Sequence, residues 1–229
     1  MTARRRGGAW LAPLLAGARS RDRLVSALGA TLGVAITTLI AWAYAPAHAL
    51  PYVAGSLGSS TVLLFVVPSS PMTSPWAVVG GSILSAASGV AMVHWLGATA
   101  LAAGLAVGLA ILLMSAARCL HPPGGGYALA PLAAGPMSEI ASWHFPLVPV
   151  GVNAVLLVLC AVVFHRFSGH SYPHRITAMP DESRFQTADV DAALAELGET
   201  FDVTREDLDR LLEAAERHAR KRRIANRTD

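Results

Sequence analysis

From residue 24 to residue 164 long apolar runs alternate with short clusters of Pro, Gly and Ser, and the runs themselves carry no charge. Residues 24–45 form one uncharged run of 22, enough for the roughly 20 residues a helix needs to cross a hydrocarbon core. The runs at 76–96, 98–117 and 146–164 read as spans of the same kind. The stretch 47–67 differs. Pro46, His48 and Pro51 lead into Gly-Ser-Leu-Gly-Ser-Ser-Thr at 55–61 and only then into strongly apolar residues, which predicts a broken helix. A second break is predicted at 118–127, Arg-Cys-Leu-His-Pro-Pro-Gly-Gly-Gly-Tyr, ahead of apolar 128–134. Pro122 and Pro123 donate no backbone hydrogen bond, and three successive glycines let the chain turn freely and approach a ligand closely.

The two interrupted stretches correspond. Gly58-Ser-Ser-Thr-Val-Leu63 aligns with Gly124-Gly-Gly-Tyr-Ala-Leu129, and each is followed by a Pro-Met pair, Pro71-Met72 and Pro136-Met137. The body therefore reads as span, broken element, span, written twice. If each broken element crosses, three crossings per unit invert the second copy. If both re-enter, four crossings remain; either way the C-terminus returns to the side of the N-terminus. At 1.5 Å per residue, 58–67 and 124–134 reach only about 15 Å each, half of an apolar layer of roughly 30 Å, so their tips would meet near the midplane. The fold class predicted is all-α: a polytopic helical membrane protein of two three-element repeats, inverted, with a short helical tail.

Composition and charge divide the chain further. It has 229 residues, 53% hydrophobic and 14% charged, and of its 15 acidic residues only Asp22 and Glu139 precede position 181. A basic arm at 1–23, a membrane domain at 24–173 and a soluble helical tail at 174–229 follow. Six arginines precede the first run and none recurs until Arg118, which places both termini in the cytoplasm and suits a multi-pass protein of a bacterial inner membrane. The charge rule also favours six crossings, because only then is Arg118 cytoplasmic. A cleavable signal peptide is the rival reading of the N-terminus, opposed by the second arginine cluster directly after its short apolar patch. No aromatic-interleaved basic surface points to nucleic acid. Cys119 and Cys160 have neither disulfide nor metal spacing. In the tail, 187–197 and 204–222 read as helices opened by Thr187 and Thr204, with Asp207 three residues after Thr204.

Candidate chemistry concentrates at the breaks. A helix starting after Pro123 would leave the N–H groups of Gly124, Gly125 and Gly126 as a donor nest for an anion, with Arg118 and His121 at its rim. The hydroxyls of Ser59, Ser60 and Thr61 would face it from the other half, and Asn153 is the one amide within the clear spans. The plainer readings are a tight interhelical loop for 122–126, a snorkelling helix-end arginine for Arg118 and hydroxyls bonded back to their own helix for Ser59, Ser60 and Thr61. Gly81, Ser85 and Gly89 make a small-residue stripe for close helix packing. Gly104 and Gly108 form a G-x-x-x-G pair serving either a second copy of the chain or packing within one. The glycines lack the Lys-Ser/Thr of a phosphate loop, and His165, His170 and His174 do not share a helical face that would bind metal. Transport of a small inorganic anion across the bilayer, without catalysis or cofactor, is the expected function; a scaffold or sensor working through the tail is the alternative.

His121-Pro122-Pro123 followed by small residues, with Gly58-Ser-Ser-Thr-Val-Leu-Leu-Phe-Val-Val-Pro-Ser-Ser-Pro71, Gly80-Gly81 and Tyr172-Pro173, resembles the signature of the HPP family of integral membrane proteins over about 24–173. Some plastid and cyanobacterial members of that family move nitrite, so the resemblance implies nitrite or nitrate as the anion. This sequence has Gly124-Gly-Gly-Tyr127 where the family usually shows an Ala-Gly-Ala-Thr type of run, and Tyr127 there would narrow a pore or shift its selectivity. The tail resembles the linker that precedes paired CBS domains in longer members, and no such domains are expected here.

Overall fold

The computed structural model describes residues 20–43, 49–174, 187–197 and 202–225, and among these every regular element is helical. In order they are α1 (Ser20–Ala41), α2 (Leu50–Val66), a 3-10 turn (Pro71–Thr73), α3 (Pro75–Leu96), α4 (Ala100–Ala116), α5 (Gly124–Ala134), a second 3-10 turn (Glu139–Ala141), a π-helical turn (Pro146–Val152) continuing into α6 (Asn153–Ser168), α7 (Thr187–Leu197) and α8 (Arg205–Ala225). Most of the basic arm expected at 1–23 lies outside the described residues. Three helices are long and apolar enough to cross a membrane, Asp22–Ala41, Pro75–Leu96 and Pro146–Ser168; α2 and α4, apolar helices of 17 residues, reach about 25 Å.

Helix α3 is the hub. Ser74 caps it by accepting from the N–H of Ala77, Pro75 sits in its first turn, and Gly97 at φ 68 ends it. It packs against α4 and α5 and also against the π-helical turn and α6; α2 packs on α5 and α6, and α1 lies against α2 and α6. Small residues permit this closeness. Gly29 and Gly33 of α1 receive the Phe65 ring of α2, and Ala102, Ala106 and Ala110 of α4 are wholly buried. The expected stripe on α3 is used throughout. A side chain at Gly81 would run into Cys119 O and His121 Cβ, one at Gly89 would overlap Ala128 O, and Ser85 fills the space that a side chain on Gly124 would need. Gly104 and Gly108, in contrast, face outward with nothing within 4 Å of a built Cβ, so packing within the chain falls to the alanines of α4 instead.

These contacts also set direction. The Trp76 indole N–H donates to Ala117 O, Gly81 meets Cys119 and His121, Gly124 meets Ser85, and Gly89 meets Ala128. Segment 117–134 thus runs parallel to α3, entering as non-helical backbone and becoming helical at Ser85, the midpoint of the 22-residue α3. Among the described residues the bundle is traversed six times, with the start of α1, the Pro71–Thr73 turn, Arg118 and the end of α6 on one side. Exposed Trp76 marks that side, and exposed Trp42, Trp95 and Trp143 mark the other. Nineteen residues of helix between Trp76 and Trp95 make about 28 Å, the separation expected of two interfacial aromatic belts.

The second break is present as expected: α5 has 11 residues, about 16 Å, and starts at mid-depth. The first is not. Helix α2 runs unbroken from Leu50 to Val66. Pro51 lies in its first turn, where proline does no harm, and no proline follows until Pro68. The Ser59 and Thr61 hydroxyls bond back to Gly55 O and Leu57 O, so the polar run at 55–61 satisfies itself without opening the helix. The two tips therefore do not meet; one tip abuts a continuous helix.

In the tail, Thr204 accepts from the Asp207 N–H and donates to its carboxylate, the expected cap for α8.

Candidate functional site

Helix α4 ends in a Schellman turn. The Arg118 N–H bonds to Ser115 O and the Cys119 N–H to Met114 O, with Arg118 at φ 54 in the left-handed position that glycine usually fills. This turn exposes the Arg118 side chain and sends Cys119 inward to be buried beside Gly81. His121 follows into the bundle with none of its surface exposed. Its two ring nitrogens are both engaged, Nδ1 with Met72 O at 2.9 Å and Nε2 with Ser60 Oγ at 2.8 Å. A carbonyl oxygen only accepts, so Nδ1 carries the proton, and neutral His121 accepts from the Ser60 hydroxyl at Nε2. One imidazole thus joins α2, the Pro71–Thr73 turn and the break.

The glycine nest is corrected by the same geometry. Gly124, Gly125 and Gly126 donate their N–H groups to the carbonyls of His121, Pro122 and Pro123, at 2.9, 3.1 and 3.2 Å. Pro122 and Pro123 occupy the positions before them and have no N–H to offer. The start of α5 therefore presents glycine for closeness, against Ser85 and Ser56, rather than for donors. Of the three hydroxyls expected to face it, Ser60 alone does. Thr61 is buried but bonded to its own helix, and Ser59 points outward. Tyr127 is buried among Val53, Ala86, Val90, Phe145 and Val150, one turn beyond the break.

Asn153 stands across the bundle. Its backbone N–H bonds to Val150 O within the π-helical turn, and its side-chain Nδ2 takes Pro149 O at 2.6 Å. It is buried, and its Oδ1 has no hydrogen-bond partner; the same holds for Ser82 Oγ on α3. Ser56, Met72, Ser82 and Ser85 were not among the expected site residues. Small polar residues are common in apolar helices, and only the packing reveals which of them meet.

The turn that holds His121 also carries the tail. Ser70 Oγ donates to Asp202 and accepts from the Met72 N–H, and Tyr172 Oη donates to Thr73 O at 2.9 Å. Burial pushes the Tyr172 hydroxyl up, which keeps it a donor. His174 pairs with Asp207 at 2.9 Å. Burial alone would raise the Asp207 carboxyl, but hydrogen bonds from Thr204 and His174 and the charges of His174 and Arg210 together hold it below its ordinary value of 3.8. His165 bonds Leu64 O through Nε2, at 2.9 Å, and Ser168 through Nδ1, at 2.8 Å.

Comparison with known proteins agrees with this architecture. The family model described as "HPP, transmembrane region" matches residues 16–173. Two transmembrane proteins of Dictyostelium discoideum are similar. One is 34% identical over 151 residues, covering 64% of this chain and 53% of its own; the other is 32% identical over 148 residues, covering 62% and 46%. The chain thus spans about half the length of the curated relatives it matches. No solved structure matches it significantly. With the family match covering well over half of its length, and His121-Pro122-Pro123 lying at the break of its fifth traverse, the chain belongs to the HPP transmembrane family.

Proposed function

We propose that this protein is a transporter or channel for a small inorganic anion, nitrite or nitrate, in a bacterial inner membrane with both termini cytoplasmic. The observation that carries the reading is the broken traverse: backbone at 117–123 enters the bundle unhelical, with Cys119, His121 and Pro123 buried and Arg118, Leu120 and Pro122 exposed. Such backbone is tolerated at membrane depth only inside protein or along a cavity, and transporters place their sites there. Two units of opposite direction, α1–α3 and α4–α6, supply the two halves that an alternating-access mechanism rocks against each other. Arg118, exposed at the mouth of the break, draws the anion in. The His121–Ser60 contact closes the path between the halves. A proton arriving at Nε2 turns that nitrogen from acceptor to donor and forces the Ser60 hydroxyl to rotate, which makes the closure pH-sensitive. No step beyond proton transfer forms or breaks a covalent bond.

The test is uptake into proteoliposomes. The wild-type chain should carry nitrite above the rate of protein-free vesicles, and Arg118→Gln should lower that rate about tenfold while the protein still purifies as a single species. Equal uptake with and without protein would sink the transport reading.

A second reading, a membrane scaffold or sensor working through the tail, is favoured by one observation: Asp202 ties the tail to Ser70, next to the turn whose Met72 carbonyl holds His121, and Asp207 folds α8 back onto His174 where the tail begins. A protein that passes no solute yet retains a partner through residues 181–229 would support it.

A further inference from the structure

We propose that a polar layer across the middle of the bundle, Ser56 on α2, Ser82 on α3 and Asn153 on α6, is the resting site of the transported solute, and that it takes a weak acid in its neutral, protonated form. This rests on the transport reading above and names its substrate class.

Two apolar clusters fill the bundle on this side of α3. One holds Val53, Ala86, Val90, Tyr127, Phe145 and Val150. The other holds Leu57, Leu64, Val78, Ala154 and Leu157 among others. Their boundary crosses each helix at a polar residue. Ser56 lies between Val53 and Leu57, Ser82 is one turn from both Val78 and Ala86, and Asn153 lies between Val150 and Ala154. The Val78–Ser82–Ala86–Val90 stripe of α3 is thus apolar except at this level. Helix α5 reaches the layer through Gly126, whose missing side chain makes room for Ser56 Oγ.

All three residues are buried, and two of their polar atoms, Ser82 Oγ and Asn153 Oδ1, lack a hydrogen-bond partner. Unpaired buried polar atoms are rare because each forfeits its hydration without return. Two on the facing stripes of neighbouring helices describe a site that a polar solute completes. The π-helical turn supports this, since such turns gather at functional sites. It diverts the backbone N–H of Asn153 to Val150 O and leaves Pro149 O to the side-chain Nδ2. Because Pro149 O only accepts, the amide orientation is settled and the free end is Oδ1, an obligate acceptor.

That acceptor decides the chemistry. A bare anion placed against Oδ1 is repelled, and nothing nearby neutralises it: residues 24–164 contain one arginine, Arg118, and one acidic residue, Glu139, both exposed. The titratable groups near this level among the described residues are His121, tied to Ser60, Tyr127 of α5 and Tyr52, one turn before Ser56 on α2. A neutral weak acid fits. Its O–H donates to Asn153 Oδ1 and its second oxygen accepts from the Ser82 hydroxyl. Nitrous and formic acids have both groups. Nitrate and chloride, conjugate bases of strong acids, stay unprotonated and offer no donor. The proton that joins the anion at entry leaves with it at exit, so each solute delivered acidifies the receiving side by one proton.

The experiment follows internal pH in proteoliposomes given nitrite, formate, nitrate or chloride, with protein-free vesicles subtracted because neutral acids also leak through lipid. Nitrite and formate should acidify the lumen several-fold faster than in protein-free vesicles. The excess should rise about tenfold per pH unit lowered, as the protonated fraction of a weak acid does above its pKa. Nitrate and chloride should give none. Ser82→Ala and Asn153→Ala should abolish the excess. Ser82→Ala removes an unpaired hydroxyl, so it should also raise the melting temperature of the solute-free protein, a readout independent of flux. Nitrate or chloride carried as fast as nitrite, without proton movement, would overturn this inference and leave the transport reading standing. Full activity in both alanine variants would remove the layer from the path. Absence of any solute movement would overturn the transport reading itself.

Discussion

Arg118 fills the glycine position of the Schellman turn that closes α4, at φ 54, where a side chain opposes the backbone by about 1 kcal/mol. Strain of that size persists where the side chain has a use. Arg118→Gly should therefore raise stability by about 1 kcal/mol, read by thermal unfolding in detergent, while lowering nitrite uptake as far as Arg118→Gln does. Stability and flux moving in opposite directions separates an arginine kept for its charge from one that merely ends a helix. His121 was legible as a candidate from the Pro-Pro-Gly run that follows it. Its partners were not, because Ser60 and the Met72 carbonyl lie 61 and 49 residues away in sequence. Among Ser59, Ser60 and Thr61 the choice is rotational: successive helical positions are 100° apart, and only one faces the break.

At the scale of elements, glycines of equal appearance carry unequal loads. A methyl group at Gly81 would lie 2.6 Å from Cys119 O and 2.7 Å from His121 Cβ, and one at Gly89 would overlap the Ala128 carbonyl. Backbone cannot step aside as a side chain tip does, so Gly81→Ala and Gly89→Ala should each destabilise by about 1–3 kcal/mol. Gly104→Ala and Gly108→Ala meet open space and should stabilise by about 0.5–1 kcal/mol each, through helix propensity alone. The same four melting curves test the direction of segment 117–134, since both intolerant glycines lie where it runs along α3. Helix α2 teaches a related lesson. A run of Gly, Ser and Thr looks like a break when polar groups are assumed to need outside partners, yet hydroxyls bonded to carbonyls four residues back keep such a helix whole. At 118–127 the prolines leave no such escape, because missing N–H groups cannot be replaced from within.

At the scale of the whole molecule, the tail is tied to the side of the bundle from which His121 is held. The Asp207 carboxyl is depressed in the folded chain, so its contribution to docking is present above its ordinary 3.8 and is lost as the pH falls through the lower folded value. The α8 contact should thus persist at pH 5 and give way only in strongly acidic solution, measured as protease sensitivity of residues 187–225. Asp207→Asn should raise that sensitivity roughly fivefold at neutral pH, the effect of about 1 kcal/mol expected for a partly exposed pair. A tail unchanged by the substitution would mean that His174 and Asp207 meet without holding anything.

The sequence by itself determined that this is a helical membrane protein, where its three long apolar helices lie, that one break falls at Pro122 and Pro123, and that the tail helix opens at Thr204. Each of these follows from local causes: apolar length against bilayer thickness, absent N–H groups, and a hydroxyl three residues from an amide. The tertiary structure decided that the run at 55–61 stays helical, that the glycine amides bond to the carbonyls of His121, Pro122 and Pro123 instead of standing free, and that Ser60 is the one of three neighbouring hydroxyls that meets His121. Those outcomes depend on which face each helix turns to α3 and at what depth. Pairing across dozens of residues sets both, and no local pattern encodes it.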